Sequence, residues 1–188
     1  MAYHLAGFGA QVVITARREK VLQQVVEKCQ VLGAQKALYV AADMANPSDP
    51  ERVVKFAVDK LGGLDYLVLN HIGPSPFAIP FVAPYTSTKF ALNGFFGTLQ
   101  HELAMQRSNV SITICILGLI DTDSAMEKVK GITNIQAWPA SEAALHIITS
   151  GATQQTESYY PWFWYYGTLI RDWFPYFRDI SIRYFYKY

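Results

Sequence analysis

The 188-residue chain is poor in charge: 16% of its residues are Asp, Glu, Lys or Arg, against 51% apolar. That balance excludes intrinsic disorder, which goes with low hydrophobicity and high net charge. The 16 basic and 15 acidic residues nearly cancel, so no basic excess points to nucleic acid. Cysteine is scarce. Cys29 and Cys115 are too few for a disulfide scaffold or a four-ligand zinc site, and each lies in an apolar stretch that suits a buried free thiol. No metal site is expected. No apolar run reaches the roughly 18 residues of an ordinary membrane span. A secretory leader is not expected either, because the basic pair Arg17 and Arg18 follows the first apolar stretch instead of preceding it. As written, the chain is expected in the cytosol.

What abounds is aromatic. Of 27 Trp, Tyr and Phe residues, 15 fall between Tyr159 and Tyr188. This divides the chain into residues 1–158 and an aromatic tail, 159–188. In the tail, Trp162, Tyr166, Leu169, Ile170, Trp173 and Phe177 recur at helical spacing after Pro161, and Pro175 is expected to kink or split the helix. Arg171, Asp172, Arg178, Asp179 and Arg183 interrupt the apolar face. Such a segment suits a bilayer interface, and equally suits packing on the domain or on a second subunit.

Upstream, the periodicity switches repeatedly. Met1–Phe8 reads as the end of a helix stopped by Gly9, so an earlier segment is expected to be missing. Gln11–Thr15 reads as a strand, Glu19–Leu32 as a helix, Lys36–Ala41 as a strand, Pro50–Leu61 as a helix and Leu64–Asn70 as a third strand. Gly73–Pro84 holds four prolines and can be neither helix nor central strand. A long helix over Thr86–Gln106, a strand over Val110–Leu117 and a helix opened by Ser141 follow. This alternation predicts an α/β fold with a parallel sheet and covering helices.

Tyr85 and Lys89 stand four apart near the start of the long helix, on one face. A cationic Lys89 beside the phenol would lower its pKa and help Tyr85 exchange a proton near neutrality. Taken alone the spacing is weak: 12 Tyr and nine Lys give roughly 0.6 such pairs by chance. The alternative is a surface helix with a solvated lysine.

Context sharpens the reading. One strand precedes the pair and ends at Asn70-His71-Ile72-Gly73. The strand that follows it runs into Leu117-Gly118-Leu119-Ile120-Asp121-Thr122. Earlier strands end at Thr15-Ala16-Arg17-Arg18 and at Ala42-Asp43-Met44. This order resembles the short-chain dehydrogenases/reductases. The stretches Tyr85–Gly97 and Asn109–Thr122 are similar, more narrowly, to the 11β-hydroxysteroid dehydrogenase 1-like proteins of that family. The resemblance implies a Rossmann-type doubly wound sheet and NADP-dependent hydride transfer on a hydroxyl or ketone of a steroid or lipid-like substrate. It implies Tyr85 as catalytic acid/base, with Lys89 tuning it and holding the nicotinamide ribose. Asn70 would lie along the cofactor, Asp43 and Met44 would face its adenine, and Ile120 and Thr122 would meet the nicotinamide amide. Arg17 and Arg18 stand where an acidic residue would bind a free ribose hydroxyl, and two guanidinium groups there suit a 2′-phosphate, favouring NADP over NAD. A charged loop is the plainer reading of the arginines, and a turn or capping residue that of Asp43.

The chain also departs from the family. No strand–glycine turn–helix occurs to bind a pyrophosphate, since Gly7 and Gly9 follow a helix. Between Asn70 and Tyr85 the family has a long helix, with a catalytic asparagine, and then a strand that delivers a catalytic serine. Both would need roughly thirty residues or more, and the step here is too short. Ser75 and Ser87 are the nearest hydroxyls, and Ser87 faces away from Tyr85. The family's first and fifth strands, both interior, are thus expected to be absent, as in a truncated or alternatively spliced product. The rival expectation is an inactive fragment that binds a full-length subunit through the long helix, or an unstable one; a homodimer is a separate expectation. Asn109-Val110-Ser111 is an N-glycosylation sequon, and a full-length form with a leader would belong in the endoplasmic reticulum or outside the cell.

Overall fold

A computed structural model of the protein describes residues 1–70, 80 and 83–185, with the backbone alone at 170–172. The described chain forms two compact units, Met1–Val68 and Leu69–Tyr188.

The first unit is helix α1 (Ala2–Gly7), strand β1 (Gln11–Ala16), helix α2 (Glu19–Val31), strand β2 (Lys36–Ala41) and helix α3 (Asp49–Leu61). β1 and β2 are parallel, from Gln11 opposite Lys36 to Ala16 opposite Ala41. A parallel pair needs a crossover, and α2 supplies it. Leu22 and Cys29, seven positions apart and so on one helical face, are both buried. Cys29 joins Ala6 and Ala37 in a core of small residues, against which Val25 and Val26 pack. Gly62 ends α3 at φ 82°, a left-handed position that a side chain would strain.

The second unit contains helix α4 (Ala83–Met105), strands β3 (Ile114–Leu117) and β4 (Ile120–Asp121), helix α5 (Asp123–Val129), strand β5 (Trp138–Pro139), helix α6 (Ala140–Ala152), strand β6 (Glu157–Tyr160) and helices α7 (Trp164–Trp173) and α8 (Pro175–Phe185). β3 pairs in parallel with β6, and β4 with β5. Ile114 and Ile116 alternate inward from β3. The Gln100 side-chain amide donates to the Ile112 and Thr156 carbonyls at 2.8 and 2.9 Å, stitching α4 to the starts of β3 and β6.

Several elements differ from expectation. Leu64–Asn70 forms no strand among the described residues: it is irregular, with a bend at Asp65 and a turn at Asn70, and Leu67 is 58% exposed. An apolar run becomes a strand only where another strand accepts its hydrogen bonds, and among the described residues none pairs with it. The fourth predicted strand is cut to its second half, because its partner β6 begins only at Glu157. Tyr159 and Tyr160, counted with the aromatic tail, are the last two residues of β6. The tail helix starts at Trp164 instead of Pro161, and Pro175 does split it, opening α8. α4 begins three residues earlier than expected, taking Pro84 into its first turn, where a proline's missing N–H costs nothing. The rest of the proline-rich step, with Ser75 and the end of the predicted third strand at His71–Gly73, lies outside the described residues.

Candidate active site

Tyr85 and Lys89 lie in the first two turns of α4, and the helix carries both to one side. Their environments differ. Tyr85 is half exposed, while Lys89 is buried, and the Lys89 ammonium stands over the Tyr85 ring with Nζ 5.0 Å from its centroid. Burial pushes the Lys89 pKa below the ordinary lysine value. A cation over an aromatic face gains from the ring's quadrupole. Thr86 is also buried, and its Oγ1 has no hydrogen-bond partner among the described residues. Ser87 is exposed, and two helical positions turn it away from Tyr85.

Arg17 and Arg18 are exposed in the turn from β1 to α2, and neither has a carboxylate partner among the described residues. Asp43 is exposed just beyond β2. Its Oδ1 accepts the Ala45 N–H at 3.1 Å, as a turn residue does, and half-buried Met44 follows. The Asp43 N–H donates to Asp49 Oδ2 at 2.8 Å. Asp49 is itself a buried carboxylate: Arg52 reaches its Oδ1 through Nε at 3.2 Å and Nη2 at 2.9 Å, and the same Nη2 donates to the Ala41 carbonyl at 2.9 Å. The Asp43 amide, then the Arg52 guanidinium, holds the Asp49 carboxyl below its usual pKa. This clasp over 41–52 was not anticipated. The available signal was an acid one residue before Pro50 at a helix start, where carboxylates belong.

In the second unit Asn70 is exposed in a turn. Ile120 is half-buried in β4 opposite Trp138. Thr122 caps α5, with its Oγ1 accepting the Ala125 N–H at 3.3 Å and its own N–H donating to the Ile120 carbonyl at 2.8 Å. The Trp138 N–H donates to the Leu119 carbonyl at 2.8 Å. Beside this loop an open cavity of about 450 Å³ is lined by Leu119, Met126, Val129 and Ile135, with Glu127, Lys130 and Thr133 as polar groups. The nominated residues therefore fall into two sets: Arg17, Arg18, Asp43 and Met44 in the first unit, and Asn70, Tyr85, Lys89, Ile120 and Thr122 in the second.

A second unanticipated cluster lies between α6 and β6. His146 Nε2 is 2.5 Å from Ser158 Oγ, which is 2.7 Å from Ser150 Oγ, and both serines are buried. His146 and Ser150 are four apart on α6, but Ser158 arrives on β6, and no spacing rule joins it to them.

The chain was compared with known proteins. The sequence profile of the family described as short chain dehydrogenase matches residues 1–72 and 75–133. The hydroxysteroid 11-beta-dehydrogenase 1-like protein of Danio rerio is 55% identical over 237 residues, covering 100% of this chain and 83% of that protein. The protein of the same name from Xenopus tropicalis is 44% identical, covering 100% and 83%. The Danio match spans 237 positions where this chain has 188 residues, so at least 49 have no counterpart here. The family profile breaks at residues 73 and 74, inside the proline-rich step. Among solved structures, a Burkholderia cenocepacia short chain dehydrogenase in complex with NADP superposes with TM-score 0.62 at 19% identity, covering 84% of this chain and 89% of that one. A variant of a Serratia marcescens short-chain dehydrogenase/reductase superposes with TM-score 0.67 at 18% identity, covering 84% and 88%. The parallel α/β pairs, the Tyr85–Lys89 face and these matches agree, and the chain belongs to the short-chain dehydrogenase family of oxidoreductases.

Proposed function

We propose that the chemistry of this chain is NADP-dependent hydride transfer at a hydroxyl or ketone carbon of a steroid or similar lipid, and that the 188 residues alone run it below detection. The observation that carries the reading is the half-exposed Tyr85 hydroxyl on a helix whose buried Lys89 ammonium stands over the same ring. Tyr85 gives or takes the proton on the substrate oxygen, and Lys89 supplies the positive charge that favours the phenolate while it exists. A bound nicotinamide would supply or accept the hydride. The residues fit its dinucleotide in part. Arg17 and Arg18, exposed and without carboxylate partners among the described residues, suit a 2′-phosphate, and Ile120 and Thr122 would meet the nicotinamide end. Asp43 and Met44 would face the adenine, and Asn70 would line the cofactor. These 188 residues hold no strand–glycine turn–helix for the pyrophosphate, and the step from Asn70 to Tyr85 is too short for the helix and the serine-bearing strand. Losing one oxyanion-type donor costs roughly a hundred- to a thousandfold, and losing the phosphate-binding helix terminus weakens the cofactor as well. The test is NADPH-dependent reduction of a ketosteroid by the purified chain. No turnover is expected. Turnover that disappears in a Tyr85→Phe variant would overturn the inactivity, and would mean that another hydroxyl or a water replaces the serine.

A second reading is favoured by the exposed aromatic surface. Phe90 and Phe95 on α4 are 40% and 62% exposed, and Trp173, Tyr176 and Tyr184 in α7 and α8 are more so. On this reading α4 meets a second subunit, and the α7–α8 segment, with Arg178 and Arg183 at its polar edge, rests on an anionic bilayer.

A further inference from the structure

We propose that the first residues of the aromatic tail, Tyr160 to Trp164, are a positioning element for the loop Gly118–Thr122, and that Gly118 is glycine because Trp164 needs the space of its missing side chain. The loop is held from three directions. The Gly118 N–H donates to the Tyr160 carbonyl at 2.8 Å, continuing the β3–β6 ladder by one rung. The Trp138 N–H donates to the Leu119 carbonyl at 2.8 Å from the β5 side. The third hold is the indole of Trp164, laid on Gly118. A Cβ there would overlap the indole nitrogen and stand 3.1 Å from both Cδ1 and Cε2. A ring that close to a backbone leaves the loop one arrangement.

The indole is itself fixed. Trp164 stacks on Phe163, with centroids 6.0 Å apart and planes at 27°. Phe163 packs against Trp138 at 5.9 Å, and Trp138 meets Tyr160 edge-on at 6.3 Å. Tyr160 is tied back to α6, its hydroxyl donating to Glu142 Oε2 at 2.9 Å. Four aromatic side chains, from β6, the turn after it, α7 and β5, thus form one chain of ring contacts beside the loop. Gly118 opens the segment that carries Ile120 and Thr122. The functional part of the proposal therefore rests on the reading that those two residues meet the nicotinamide end of the cofactor. A tail that holds this loop would tune cofactor affinity without touching the cofactor.

The experiment uses the full chain. Amide hydrogen exchange is measured without nucleotide for Trp164→Ala, Gly118→Ala, the double variant and the conservative Trp164→Phe. Trp164→Ala and Gly118→Ala are each expected to speed exchange at residues 118–122 by about tenfold or more, with β1 and β2 amides unchanged. In the double variant the two effects should fail to add, because the steric conflict needs both groups. Trp164→Phe should stay near the parent rate and should leave Gly118→Ala unrelieved, since a phenyl ring keeps atoms where Cδ1 and Nε1 stood. Unchanged exchange at 118–122, or additive effects, would overturn the proposal. If Trp164→Ala unfolds the second unit outright, the pair Gly118→Ala and Gly118→Ala/Trp164→Leu decides it alone, because leucine has no atom at the Nε1 or Cε2 position and should relieve the overlap. A separate NADPH titration of the same variants addresses the cofactor reading. A clamp seen by exchange with no change in NADPH affinity between parent and Trp164→Ala refutes the nicotinamide role of the loop and leaves the clamp standing.

Discussion

Ser158 gives the sharpest stability test. Replacing it with alanine removes one oxygen from a cluster sealed between α6 and β6, where Ser158 and Ser150 are only 4% and 2% exposed. Ser158 Oγ lies 2.5 Å from His146 Nε2 and 2.7 Å from Ser150 Oγ, while Ser150 reaches His146 Nε2 only at 3.5 Å. Without Ser158 the Ser150 hydroxyl and the imidazole face each other at the limit of hydrogen bonding. Leaving a buried polar group poorly satisfied costs about 1–3 kcal/mol. Some is recovered because the Ser158 hydroxyl no longer has to be buried, so about 1–2 kcal/mol is expected. At roughly 4 °C per kcal/mol for a unit of this size, the thermal midpoint should fall by about 4–8 °C. The cluster also predicts a pH dependence. Burial lowers the His146 pKa from the ordinary 6.5, so the unfolded chain binds the proton more readily. The neutral imidazole's contribution is complete above pH 6.5 and is lost as pH falls from there through the depressed folded value. Glu142, Glu157, Tyr159 and Tyr160 are the other titratable groups of α6 and β6, and burial raises both tyrosines further above that window. Circular dichroism melts at pH values from about 7.5 to 5 should show the slope in the parent and a flatter one in His146→Gln. A Ser158→Ala midpoint within about 1 °C of the parent, or an unchanged slope in His146→Gln, would refute the reasoning.

Three further outcomes are expected. Calorimetric titration should show NADPH bound more tightly than NADH, by about tenfold, with the preference erased in an Arg17→Ala/Arg18→Ala chain; equal affinities in the parent would end that reading. Asp49→Asn should free the Asp43 amide, raising its hydrogen-exchange rate several-fold while Ala37 and Val40 in β2 stay protected, because the Asp43 N–H and Arg52 converge on that carboxylate. Deleting residues 174–188 should weaken binding to anionic vesicles while leaving the β3–β6 ladder intact by circular dichroism, whereas deletion from Tyr159 should cost the ladder, since Tyr159 and Tyr160 are half of β6.

Local signals were legible in the sequence. The 3.6-residue apolar spacing marks α2, α3 and α4, while Gly62 ends α3 and Pro175 opens α8 where backbone stereochemistry requires. Strands were legible only where a neighbour exists. QVVIT and Lys36–Ala41 became β1 and β2 because α2 brings them side by side. LDYLVLN has an equally good strand composition and forms no ladder, since pairing is a property of two segments and composition belongs to one. β6 was hidden for a different reason: its Tyr-Tyr end merges with the aromatic tail, so the count of rings masked a change of role between Tyr160 and Trp164.

The candidate site divides along the same line. Tyr85 and Lys89 are four apart on one helix, so the sequence alone puts them on one face, and the burial of Lys89 is the part that needed a fold. Asp43 was weighed between a cofactor contact and a turn residue. Its Oδ1 accepts the Ala45 N–H as a turn residue's does, and the buried Asp49, paired with the exposed Arg52, holds that turn. The Trp164–Gly118 contact spans 46 positions, and no spacing rule reaches that far. The same logic bears on catalysis. A helix presents Tyr85 and Lys89 without help, but the third group of a proton-transfer site has to arrive on another element. The match to the Danio protein leaves at least 49 positions without counterparts here, more than the roughly thirty residues that such an element and its connections would need. Tyr85 and Lys89 are legible without that element because their shared face is written within a single turn of helix.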